Sequence, residues 1–158
     1  MYDSVRSLLE LVQEAVSPWH TVQAVRKRLS KADFQPLKLG EKWQLESGKS
    51  YYVEAFGSTV LAFTIGCNGY TEANNLRIAA SHTDFPGLRI KPQASVIKDG
   101  YGVLNIESYG GLILASWQDR PLSIAGKITL KGQDAFHPQV RLVDFAKQFH
   151  RCVIRCQR

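Results

Sequence analysis

Between Ser4 and Val16, the apolar residues Val5, Leu8, Leu9, Val12, Ala15 and Val16 recur at offsets of three, four and seven, with polar residues between them. That spacing predicts an amphipathic helix over residues 4–16 with one buried face, capped by Asp3 or Ser4. Ser17-Pro18 interrupts it, because the residue before a proline avoids helical geometry and proline has no N–H to donate. A second helix is predicted from Thr21 to Lys31, burying Val22, Val25 and Leu29 and turning Arg26, Lys27 and Arg28 to water.

From Ser50 the period shortens to that of a strand. Tyr51-Tyr52-Val53 and Thr59–Ile65, separated by Phe56-Gly57-Ser58, predict a hairpin. Leu76-Arg77-Ile78-Ala79-Ala80-Ser81 reads as a buried strand that delivers His82, Thr83 and Asp84 at its C-terminal end, where chemistry collects in α/β proteins. Beyond Asp84, Leu88–Ile90, Val103–Ile106 and Ile128–Leu130 are short strands among Gly and Pro breakers, which places a domain boundary near residues 84–90. The fold class expected is α/β: an incomplete αβα sandwich of two N-terminal helices plus strands, then part of a β-rich inserted assembly domain. Residues 1–84 form the first part, 85–147 the second, and 148–158 a divergent basic tail.

Composition narrows the function classes. At 158 residues, 44% hydrophobic and 22% charged, the chain fits a soluble globular domain or one lobe of something larger. No apolar run approaches the roughly 18 residues of a membrane span, and the start lacks a leader pattern, so no membrane partner and a cytoplasmic address are expected. The net charge of +6 is misleading until it is located. Residues 1–144 hold 16 basic against 14 acidic residues; the remainder is Lys147, Arg151, Arg155 and Arg158. A charge excess confined to a tail, without a basic stripe interleaved with aromatics, argues against nucleic acid. Cys67, Cys152 and Cys156 match neither a disulfide framework nor a paired zinc knuckle, and read as reduced thiols.

His82 and Asp84 carry the most chemical information. Residues two apart in an extended segment point to one side, and a carboxylate beside an imidazole fixes its tautomer and makes the other ring nitrogen a better metal ligand. Alone, His-Thr-Asp also fits a loop pair satisfied by local hydrogen bonds. Its context is more specific. Ser17-Pro18-Trp19-His20-Thr21-Val22, Ala79–Pro92, Tyr109-Gly110-Gly111, Trp117–Leu122 and Ala125-Gly126-Lys127 occur in order, and this series resembles the N-terminal portion of the aspartyl aminopeptidase family, from about residue 5 to about residue 145.

The resemblance implies a co-catalytic zinc metalloaminopeptidase that removes N-terminal residues, preferably acidic ones, from peptide substrates, with two zinc ions activating water. His82 matches a zinc ligand and Asp84 the catalytic carboxylate that orients it. The bridging acidic ligand, the Glu-Glu pair, a further acidic ligand and the last His of the family pattern have no counterpart here. Zinc normally needs three or four protein ligands, so tight zinc binding and peptidase activity are not expected of this chain alone. His20, His137 and His150 lack ligand spacing and read as surface or capping histidines. Asp119 and Arg120 read as a structural pair beside a packed Trp117. Some relatives place a histidine that reaches a neighbouring subunit where this chain has Ala115, so that role is not carried over.

Resemblance stops after Lys147. Gln148–Arg158 resembles text from a shifted reading frame or a tail acquired after truncation, with a short basic helix as the simpler alternative. Uncovered sheet edges and apolar helix faces are expected, and with them self-association. A non-catalytic assembly or interaction module derived from the same family is the competing functional expectation.

Overall fold

The computed structural model describes residues 2–67, 76–118, 120–134 and 136–149. Helix α1 spans Asp3–Glu14 and α2 Pro18–Lys31; β1 is Gln35–Leu37, β2 Ser50–Ala55 and β3 Thr59–Thr64. Strands β4 (Gly87–Lys98) and β5 (Tyr101–Tyr109), a 3-10 turn at Leu114–Trp117, and β6 (Leu122–Leu130) and β7 (Gln139–Phe149) follow. The strands form a three-stranded sheet in the order β1-β2-β3 and two two-stranded sheets, β4-β5 and β6-β7. Contacts divide the chain into one unit of residues 1–84 with 124–145 and another of 85–123 with 146–158.

The ends of α2 show why the second helix lies where it does. Ser17 is the N-cap, its Oγ accepting from the His20 amide and its carbonyl from the Thr21 hydroxyl, and Pro18 occupies the first helical position, where a missing N–H costs nothing. The helix therefore starts three residues earlier than its apolar pattern predicts. At the other end, the Phe34 amide donates to the Leu29 carbonyl and the Asp33 amide to Ser30, with Asp33 at φ 60. This paired closure satisfies two terminal carbonyls.

Strand β2 holds the core of the first unit. It pairs in parallel with β1 (Gln35 opposite Tyr51) and antiparallel with β3 (Tyr51 opposite Phe63), so over Tyr51–Val53 both of its edges are paired. Tyr51, Tyr52 and Val53 are consecutive and all buried, as in a strand covered on both faces, and Val22 and Ala24 of α2 are buried with them. The buried tyrosines find partners for their hydroxyls: Tyr51 accepts from the Glu46 amide at 2.9 Å, and Tyr52 meets Ser30 at 3.5 Å. Phe63 lies against both Tyr51 and Trp43. The hairpin turns through Phe56 and Gly57, with φ 55 and 69. Phe56 adopts this left-handed conformation although it is not a glycine, and is 91% exposed.

In the second unit β4 and β5 pair antiparallel, joined by Asp99-Gly100 with both φ values positive, the pattern of a two-residue hairpin turn. The register shifts between Ile90 and Ser95, where Gln93 has φ 55. The Arg89 guanidinium stacks 3.4 Å from the centre of the Tyr109 ring. Gly110, at φ +72, sits where a Cβ would come 3.3 Å from Pro86.

Two expectations are corrected. Leu76–Ser81 is not a buried strand: residues 76–81 lack regular structure, and Leu76 and Ile78 are 82% and 79% exposed. A strand needs neighbours to take its backbone donors and acceptors, and among the described residues none pairs with this run. Helix α1 forms, but without a buried face: Val5, Leu8, Leu9 and Val12 are all exposed, and its N-cap is Tyr2, with no side-chain hydrogen bond. A bidentate ion pair from Arg28 to Glu14 joins it to α2. The short strands predicted after Asp84 lie inside the longer β4, β5 and β6, and β7 was not anticipated. Asp119, His150, Cys152 and Cys156 lie outside the described residues, as does most of the predicted tail. Trp117 is half-buried and Arg120 exposed. No described helix is long and apolar enough to cross a membrane.

Candidate functional site

His82 and Asp84 meet as their spacing suggests, although the stretch between them is an irregular segment. The Nδ1 of His82 lies 2.8 Å from Oδ1 of Asp84. The two side chains are placed unequally: the imidazole is 88% exposed and the carboxylate 29%. With Nδ1 committed to the carboxylate, the proton belongs on that nitrogen, and the Nε2 lone pair is directed away from Asp84. Such a nitrogen is a metal ligand or a proton acceptor. Between them, Thr83 Oγ1 donates to the carbonyl of Ser58 in the β2–β3 turn at 2.8 Å.

The other described histidines, His20 and His137, have other duties. His20 Nδ1 lies 2.7 Å from the Oγ of buried Ser17, inside the cap of α2. His137 lies 2.9 Å from both oxygens of Asp134, a second His–Asp pair. Asp134 also accepts from the amides of Phe136 and His137, so it organises its own loop, and the His137 side chain, then these amides, hold its carboxyl below the usual range. Sequence reasoning passed over this pair; Asp-x-x-His was its visible signal. Cys67 is an exposed free thiol.

Zinc is the metal that an imidazole oriented by a carboxylate fits, but four donors complete its usual shell. His82 can supply one. Among the described residues no group of three or more His, Cys, Asp or Glu side chains converges to hold a metal ion. A groove of about 280 Å³ in the first unit lies elsewhere, between Trp19, Val22, Phe56, Lys127 and Leu142, with the Lys127 ammonium 5.1 Å over the Trp19 ring.

Comparison with known proteins places this geometry in a family. A solved complex of Ape4 with Nbr1 superposes with a TM-score of 0.80 at 34% identity, over 87% of this chain and 26% of that one. The structure of mApe1 from Chaetomium thermophilum gives a TM-score of 0.75 at 29% identity, over 87% and 32%. A probable M18 family aminopeptidase 2 of Clostridium novyi (strain NT) is 40% identical over 141 residues, covering 89% of this chain and 32% of the relative. The chain thus spans about a third of the length of the curated relatives it matches. The family model described as Aminopeptidase I zinc metalloprotease (M18) matches residues 11–149, which bears out the resemblance read from the His82 and Trp117 segments: the chain belongs to the M18 family of zinc metalloaminopeptidases.

Proposed function

We propose that this chain supplies the N-terminal part of a zinc aminopeptidase that hydrolyses peptides from their amino ends, with His82 as a zinc ligand and Asp84 as the carboxylate that orients it. The observation that carries this reading is the 2.8 Å contact between His82 and Asp84, with the imidazole presented to solvent and the carboxylate set back. Asp84 holds the proton on Nδ1, which keeps Nε2 unprotonated and able to donate. Zinc, when bound, supplies Lewis-acid polarisation of the peptide carbonyl. Two ions per complete site and a preference for acidic N-terminal residues belong to the same proposal.

One imidazole cannot retain zinc against solvent, so the isolated chain is inactive. The test has two arms. The purified chain, loaded with zinc, should not release the chromophore from aspartyl or glutamyl p-nitroanilide; turnover that His82→Ala abolishes would overturn the inactivity. A chimera in which this chain replaces the matched third of the Clostridium novyi relative should hydrolyse peptides, and Asp84→Asn should lower that activity by about 10–100-fold.

A second reading, a non-catalytic assembly module, is favoured by the apolar side chains that residues 85–123 leave in water, Ile97, Tyr101 and Ile113 among them. In that reading residues 85–147 form an assembly surface and the chain self-associates. Concentration-dependent sedimentation of the purified chain tests it, a strict monomer being the contrary result.

A further inference from the structure

His82 and Asp84 sit on a segment that no ladder holds: residues 76–86 carry no strand, and no described strand pairs with them. Yet a metal ligand must be held in place for its preferred tautomer to matter. One hold comes from the residue between them. Thr83 is half-buried, and its Oγ1 donates to the Ser58 carbonyl at 2.8 Å. Ser58 itself is fixed in the turn that joins β2 to β3, its amide donating to the Ala55 carbonyl. That hairpin is registered residue by residue from Ala55 opposite Thr59 to Ser50 opposite Thr64, with Tyr51, Tyr52 and Val53 of β2 buried.

We infer that Thr83 is a positioning residue for His82: its hydroxyl pins the backbone between imidazole and carboxylate to the β2–β3 turn, and so keeps Nδ1 of His82 on Asp84. The assignment deepens the proposed zinc-ligand role and rests on it. The chain bends at Thr83, and the hydroxyl is taken up by the hairpin while the neighbouring imidazole meets its carboxylate. The imidazole is left exposed, with the carboxylate set back behind it. Replacing the hydroxyl by a methyl removes the pin and leaves the volume almost unchanged.

The test uses the full chain without metal, labelled with nitrogen-15, and reads the two imidazole nitrogens of His82 above its titration range. A neutral imidazole free in water carries its proton mainly on Nε2, whereas one that donates to a carboxylate through Nδ1 carries it there. Thr83→Val should reduce the ratio of imidazole held on Asp84 to imidazole free of it by about fivefold, the effect of one lost hydrogen bond, and shift both nitrogens toward the free pattern. Thr83→Ser, which keeps the hydroxyl, should restore the wild-type shifts, and the nitrogens of His137, paired to Asp134 elsewhere, should not move in either variant. Unchanged His82 nitrogens in Thr83→Val, or a Thr83→Ser variant that behaves like Thr83→Val, would overturn the assignment. Failure of the zinc role appears separately, as a chimera that binds no zinc while these tautomer shifts behave as stated.

Discussion

Two runs that both read as strands meet opposite fates in this chain. Tyr51-Tyr52-Val53 is buried between two strands, whereas Leu76–Ala80 is exposed along its whole length. Their local patterns do not explain the difference, since both read as strands. Neighbours do: β2 has a partner on each edge, while the Leu76 run has none among the described residues. The segment bearing the candidate ligand is tied to the hairpin through the Thr83–Ser58 hydrogen bond.

The contrast can be broken most forcefully at Tyr51, which is 1% exposed. Tyr51→Ala should cost about 3–5 kcal/mol in urea unfolding, and Ile78→Ala only about 0.5 kcal/mol or less. Equal costs would mean that the Leu76 run is packed after all. Next in size is the cap that starts α2: Ser17→Ala should destabilise by about 1 kcal/mol, and Ser17→Asp should recover most of it. A comparable effect of opposite sign is expected at the hairpin turn. Phe56→Gly relieves a left-handed conformation at an exposed position and should stabilise the chain by up to about 1 kcal/mol, read from the same unfolding curves.

The smallest effects are electrostatic and visible only in acid. The Arg28 side chain, hydrogen-bonded to Glu14, holds that carboxyl below the usual glutamate range. A lowered folded-state value means that the stabilisation is present above the ordinary glutamate pKa and is lost as pH falls through the lowered one. Arg28→Ala should therefore flatten the pH dependence of stability in that acid window, with the pair screened by salt. The same sign holds for Asp134, where His137→Ala should weaken the acid dependence; a steeper profile in either variant would contradict the assigned partners.

Much of this was legible in the sequence because it is local. Helical periodicity located both helices, Ser17-Pro18 marked the break between them, and Phe56-Gly57-Ser58 marked the hairpin turn. His82 and Asp84 were legible as a pair because two-residue spacing constrains side chains even where no ladder forms. What stayed hidden was non-local. An apolar stripe says that a helix has a face to bury, not that anything covers it, and Val5, Leu8, Leu9 and Val12 remain in water. The parallel pairing of Gln35–Leu37 with β2 depends on a partner across an intervening irregular segment. Thr83 looked like a spacer, since its role is defined by the Ser58 carbonyl 25 residues earlier.

The zinc-ligand role of His82 is tested most directly by counting metal. Zinc bound per chain, measured by native mass spectrometry on the chimera with the Clostridium novyi relative, should fall when His82 is replaced by alanine and stay unchanged when His137 is replaced instead. Full zinc occupancy in the His82→Ala chimera would contradict that role.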